Sequence, residues 1–367
     1  MTVPNHETFL RRALQLAQVA WGETHPNPMV GCVLVEEGTI VAEGFHARAG
    51  EPHAEIMALG SLGRAPKPDA TLYLTLEPCS THGRTPPCVN AILEAGIKLV
   101  VVGARDPNPA HAGNGLEQLR EAGSKVIEIE GEVAADCHDL NLIFNHQVVT
   151  AEPFFALKLA VTADGKVAEE SGISSPITGS EARADVMRWR RLFPAIAVGA
   201  GTVVVDDPRL TARFPEGEWC PRRIILDGRL SSVPDNGALP GVYSDEHRAN
   251  TLVVTTPDSS ASRRDILAAA GVGLRELPAS SAGHFSFADL KALCSDEGLT
   301  GVFFEGGPTV AHGLLAEQAL DYLYWYESPK RFENEDAPQA PPFSSFSLGN
   351  PRIAHLGLDV LTRGHLS

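Results

Sequence analysis

A chain of 367 residues with 43% hydrophobic and 21% charged side chains, 34 glycines and 27 prolines has ordinary globular composition and the length of two domains. Thirty Lys and Arg against 46 Asp and Glu leave a formal net charge of -16, which argues against a broad nucleic-acid footprint but allows a small phosphorylated substrate met by a few local arginines. No basic segment followed by an apolar one opens the chain and no apolar run reaches the roughly 18 residues of a membrane span, so a cytoplasmic protein without a membrane partner is expected.

Leu10, Ala13, Leu14, Ala17 and Ala20 recur at helical spacing, so residues 7–20 are predicted as an amphipathic helix. A proline-stiffened loop, His25-Pro26-Asn27-Pro28, feeds an apolar strand over 29–35, and Glu36 to Thr39 turn it into a returning strand over 40–45. Glu51-Pro52 halts the chain before His53, and a helix begins at Ala54. A strand over 71–76 delivers Glu77-Pro78-Cys79. A helix over 88–96 starts on Cys88, and a strand follows at 97–102. A helix at 116–122, a strand at 126–129 and one helix over 133–144 complete an α/β sandwich, with a domain boundary near 148.

The second half restarts with a strand at 154–161. Strands at 195–198, 223–226, 252–254 and 301–304 alternate with helices at 262–270 and 287–294, which describes a second α/β domain. Residues 328–350 are rich in Pro and Ser and are left without assigned structure. No Gly-x-Gly-x-x-Gly follows a strand, so an ordinary dinucleotide fold has no support. Two glycine turns, Val198 to Thr202 and Phe304 to Thr309, have the small residues that let backbone amides approach a phosphate.

Of six cysteines, Cys32, Cys137, Cys220 and Cys294 are scattered and are expected to be buried small apolar residues. Cys79 and Cys88 differ, because His53 and Glu55 precede them. One imidazole and two thiolates give zinc three ligands and leave a fourth position open, the catalytic arrangement. Glu55 then stands as the proton carrier, which is the logic of nucleobase deamination. The competing reading is a closed structural site with His82 as fourth ligand, but such a site has no use for a carboxylate beside the histidine.

The stretch Pro78-Cys79-Ser80-Thr81-His82-Gly83-Arg84-Thr85-Pro86-Pro87-Cys88, with His53-Ala54-Glu55, resembles the bifunctional deaminase/reductase family of riboflavin biosynthesis. Val30-Gly31, Gly44-Phe45-His46 and Asp106-Pro107-Asn108-Pro109 extend the likeness over most of the first half. Leu157-Lys158-Leu159-Ala160, Ile177-Thr178-Gly179 and Asp206-Asp207-Pro208-Arg209-Leu210-Thr211-Ala212-Arg213 resemble the reductase half. The resemblance implies a cytidine-deaminase-like α/β/α sandwich over 1–148 and a dihydrofolate-reductase-like α/β domain over 149–367.

It further implies zinc on His53, Cys79 and Cys88, catalysis by Glu55, and substrate contacts from Asn27, His46, His82 and Arg84. The implied reaction removes the 2-amino group of a phosphoribosylaminopyrimidine. NADPH then reduces the product's ribose to a ribityl chain. Ser174, Arg190, Leu210, Arg213 and Glu305 would hold that substrate, and Ala160, Pro176, Thr202, Asp206, Gly306 and Gly307 would line the cofactor. The implied partners are the small phosphorylated pyrimidine and like chains in a homo-oligomer, with no nucleic acid. Because Pro176 stands where the family carries a tryptophan, the alternative is a monofunctional deaminase whose second domain only binds or assembles.

Overall fold

In the computed structural model, which describes residues 5–81, 86–109, 111–279 and 285–367, the chain divides into two units, Met1–Ala151 and Glu152–Ser367. The first unit is built from α1 (His6–Ala17), β1 (Gly31–Glu36), β2 (Thr39–Phe45), α2 (Ala54–Leu62), β3 (Thr71–Leu74), α3 (Cys88–Glu94), β4 (Leu99–Val102), α4 (Asn114–Glu121), β5 (Lys125–Glu128), α5 (Glu132–Asp139) and α6 (Leu142–Thr150). Its sheet has the order β2-β1-β3-β4-β5. The first three strands run antiparallel and the last three parallel, the change coming where helices begin to cross between strands.

β1 is buried along its whole length. Helix α1 covers it with Leu10, Ala13, Leu14 and Ala17, the stripe read from the sequence. Helix α2 lies on β2 with no room to spare: a Cβ at Gly44 would stand 2.4 Å from both the Ala54 carbonyl oxygen and the Ala58 amide nitrogen. That close seating sets the height at which the first turn of α2 presents its side chains.

The single helix expected over 133–144 is two. Asn141 leaves helical geometry at φ -119 and ψ 37, and its amide is turned to the backbone of Met29, accepting from Met29 N at 2.7 Å and donating to Met29 O at 3.0 Å. Asn141 therefore stands between the two helices with its side chain committed to the Met29 backbone. Helix α6 then carries the first unit past 148, ending where Ala151 turns to φ 60.

The second unit contains β6 (Phe154–Thr162), α7 (Ser180–Leu192), β7 (Ala195–Gly199), α8 (Ala200–Asp206), β8 (Ala212–Phe214), β9 (Gly217–Trp219), β10 (Arg222–Leu226), α9 (Gly241–Ser244), β11 (Thr251–Thr255), α10 (Ala261–Ala270), β12 (Gly273–Glu276), α11 (Phe287–Asp296), β13 (Gly301–Phe304), α12 (Pro308–Ala316), β14 (Tyr322–Ser328), β15 (Leu348–Leu356) and β16 (Asp359–Leu366). Nine strands form one sheet in the order β12-β11-β10-β7-β13-β6-β14-β16-β15. From β12 to β14 all neighbours are parallel, and helices cover the strands, so the central ones read as unbroken apolar runs.

β16 and β15 close the sheet as an antiparallel hairpin. Part of β15 falls in the segment left unassigned from sequence. It is an edge strand whose residues are nearly all solvated, so it lacks the alternation that marks a half-buried strand. Cys32, Cys137 and Cys294 are buried as expected, but Cys220 is only half-buried. No described helix is long and apolar enough to cross a membrane.

Candidate active sites

His53 occupies the N-cap of α2, Cys88 is the first residue of α3, and Cys79 follows β3. Sheet and helices thus bring three side chains, 35 residues apart at the extremes, into one cluster whose ligand atoms all lie within 4.8 Å of one another. His53 Nδ1 stands 3.2 Å from Cys88 Sγ and 3.6 Å from Cys79 Sγ. A tetrahedral ion with bonds of about 2.1 Å to nitrogen and 2.3 Å to sulfur separates such atoms by about 3.6 Å, so the donor set fits zinc.

The cluster's electrostatics favour a cation. The Cys88 thiol and His53 hold the Cys79 thiol down at about 4 against the effect of burial, while Cys88 is pushed up by its pairing with Cys79 and by burial. Zinc takes cysteine as the thiolate, so a metal on this cluster would bind with release of thiol protons. The backbone supports this geometry: Val89 N donates to the Cys79 carbonyl at 3.3 Å, and Cys88 N donates to Cys79 Sγ at 3.3 Å.

Glu55 is the second residue of α2, in its first turn, and is 3% exposed. Burial pushes its carboxyl up, and Cys88 lies within hydrogen-bond reach of it. A carboxyl raised toward neutrality beside a metal-ligand cluster is suited to taking and returning a proton.

His46, an expected substrate contact, is 2% exposed. Asn27 Nδ2 donates to its Nε2 at 3.1 Å and its Nδ1 donates to Pro52 O at 3.1 Å, a pattern that requires the neutral ring. Burial lowers its pKa in the same direction. Its ring meets His53 edge-on, with centroids 5.3 Å apart. Asn27 and His46 thus stand together at the cluster. His82 and Arg84 lie outside the described residues.

Sequence reading missed Asn141, whose grip on Met29 fixes the loop that carries Asn27. An asparagine inside an apolar helical pattern was the available signal.

In the second unit a cavity of about 590 Å³ opens beside the ends of β6, β7 and β13, a size typical of ligand sites. Ser174, Arg190, Leu210, Arg213 and Glu305 all line it, as do Ala160, Thr202, Asp206, Gly306 and Gly307. Pro176 does not. It is exposed, and its carbonyl accepts from Lys330 Nζ at 2.9 Å. The replacement of a family tryptophan therefore falls outside the cavity lining.

Both glycine turns precede helices: Gly199 caps α8 and Gly307 caps α12. A Cβ at Gly306 would meet Val310 Cβ at 2.6 Å, so only glycine brings that backbone so close to α12. Leu210, buried, holds φ 52, a conformation uncommon for a non-glycine residue.

Arg190 does not stand free for a phosphate. Its guanidinium forks onto Glu305, with Nη2 to Oε2 at 3.0 Å, and donates to the Thr211 carbonyl at 2.9 Å. Burial alone would raise the Glu305 carboxyl. The charge of Arg190, aided by Lys158 and Arg213, holds it below the usual range. Arg213 is exposed at the cavity, its Nη1 bonded to Thr211 Oγ1 at 3.1 Å.

Lys158, quoted from sequence only as part of a matching tetrapeptide, lines the same cavity. Burial pushes its ammonium below the usual lysine range, with Glu305 and Asp206 opposing and Arg190 reinforcing. Its signal was a lone lysine inside the apolar strand Phe154–Thr162.

Two family models match the chain in order: the cytidine and deoxycytidylate deaminase zinc-binding region over 3–104 and the RibD C-terminal domain over 153–347. Riboflavin biosynthesis protein RibD of Aquifex aeolicus is 40% identical over 88% of this chain and 87% of its own length. The Escherichia coli protein of that name is 37% identical over 96% and 97%. Among solved structures, a diaminohydroxyphosphoribosylaminopyrimidine deaminase/5-amino-6-(5-phosphoribosylamino)uracil reductase from Thermotoga maritima superposes with a TM-score of 0.78 at 35% identity, covering 99% of both chains. A zinc-type donor cluster in one unit, a charged cavity in the other and these relatives over nearly the whole length agree: the chain belongs to the RibD family of riboflavin biosynthesis proteins.

Proposed function

We propose that the first unit deaminates 2,5-diamino-6-(5-phosphoribosylamino)pyrimidin-4(3H)-one and that the second reduces the ribosyl group of the product to ribityl with NADPH. The observation that carries the first step is the buried Glu55 carboxyl at a cluster of three zinc-type donors. The chemistry a zinc ion on His53, Cys79 and Cys88 would supply is a water acidified toward neutrality. Glu55 takes one proton from the attacking water and returns it to the departing amine, so that water and the amine are exchanged for a carbonyl and ammonia. Asn27 and neutral His46 hold the pyrimidine edge, with His82 and Arg84 as further contacts in the same proposal.

For the second step, the chemistry a bound NADPH would supply is a hydride for the ribose C1′. Opening the sugar also needs a proton at the ring oxygen, and Lys158, a residue of the cavity lining, donates it. Glu305, fixed by Arg190, orients the ribose hydroxyls, and Arg213 meets the phosphate. The Gly306-Gly307 turn, Ala160, Thr202 and Asp206 form the cofactor's side. Assembly as a homo-oligomer belongs to the same proposal and is checked by sedimentation.

The alternative of an inactive second unit rested on Pro176, which lies outside the cavity lining. NADPH absorbance followed with purified deaminated substrate tests the reductase reading. Steady oxidation is expected, and none at micromolar enzyme would sink it.

A further inference from the structure

Glu77 is a buried carboxylate, 6% exposed, two residues ahead of Cys79. Its Oε2 accepts from the backbone N–H of Asp106 at 3.2 Å and of Gly113 at 3.0 Å, and its Oε1 accepts from Gly115 N at 3.0 Å. One side chain thus gathers three amides from a turn that ends in the start of α4. The fit is tight on the other side as well, because a Cβ at Gly115 would stand 2.3 Å from the Pro78 carbonyl oxygen and 3.2 Å from Glu77 Oε1. Asp106, the first residue of that turn, is close enough to Cys79 to feel its charge.

The bonds that shape the donor cluster do not pass through this carboxylate. Cys79 is held by Val89 N and Cys88 N, and the backbone of Glu77 by its own N–H to Ala104 O at 2.9 Å. What the carboxylate controls is the distance between the chain carrying Cys79 and the turn at Asp106.

We propose that Glu77 is a positioning residue of the deamination site, holding the Asp106 turn as a wall of the substrate pocket while touching neither metal nor substrate. This rests on the deaminase reading above. Glutamine fills the same volume, but whichever way its amide is turned the NH₂ faces at least one of the three N–H donors. A residue that merely fills space would tolerate the change.

The zinc-loaded full chain carrying Glu77→Gln is expected to show a deaminase KM raised about tenfold or more with kcat changed less than about threefold, the signature of lost uniform binding. Zinc content and the visible spectrum of the cobalt-substituted protein are expected to match wild type. Reductase activity of the same chain, expected unchanged, reports that the variant is folded.

An unchanged KM overturns the proposal. So does loss of zinc with KM preserved, which would place the effect at the metal ligand. Should Glu77→Gln not fold, Gly115→Ala decides the matter by forcing the same two segments apart with the carboxylate intact, and the same KM rise is expected.

Amide hydrogen exchange at Asp106, Gly113 and Gly115 provides a readout that needs no activity. If the wild type shows no deamination, the functional reading fails but exchange still tests Glu77. Acceleration of about tenfold or more at those amides in Glu77→Gln supports the positioning role, and unchanged exchange overturns it.

Discussion

Glu55 and Lys158 are ionisable groups that burial drives toward their neutral forms, one in each unit. For Glu55 this makes a carboxyl that both accepts and returns a proton. Glu55→Gln keeps the shape and removes that capacity, so ammonia release is expected to fall by about 10²–10⁴ with zinc content unchanged. For Lys158 the folded pKa lies below the usual 10.5. The protonated donor is therefore lost at lower pH than an exposed lysine would lose it. Reductase kcat/KM is expected to decline on the alkaline side through that lowered value, and Lys158→Met is expected to lose both the rate and this limb while deamination persists. A pH profile of both activities in one preparation checks the assignment. Residue types with metal chemistry were legible in the sequence because their spacing is itself a signal. Lys158, Asn141 and Glu77 were not, because each acts through a contact that only the folded chain makes.

At the scale of elements, the deamination site depends on how α2 is seated on β2. Gly44→Ala puts a methyl group where the backbone of α2 lies, and overpacking of this kind costs about 1–3 kcal/mol. Deaminase activity is expected to fall at least tenfold as Glu55 shifts, with reductase activity retained, and a lowered melting temperature of the first unit accompanies it. Strands β1, β7, β10, β11 and β13 were readable as apolar runs since both their faces are covered. The α5–α6 break escaped notice because Asn141 serves a distant backbone, and β15 escaped because a solvated edge has no pattern. The role assigned to Arg190 also needed the structure: sequence shows an arginine but not that Glu305 occupies its fork.

On the scale of the whole molecule, the cavity residues all belong to Glu152–Ser367 and the donor cluster to Met1–Ala151. Chelating the metal is expected to abolish ammonia release and leave NADPH oxidation of deaminated substrate intact. Returning zinc is expected to restore the first activity. The two-domain plan was visible in the sequence as two separate strand–helix alternations, whereas the boundary depended on how far α6 runs.

The central claim is that one chain performs two steps in order, and it is tested most directly by NADPH absorbance with Glu55→Gln beside wild type. Wild type is expected to oxidise NADPH when given either the diamino substrate or its deaminated product. Glu55→Gln is expected to do so only with the deaminated product. NADPH oxidation by the variant on the diamino substrate, or none by wild type on either compound, would contradict the account.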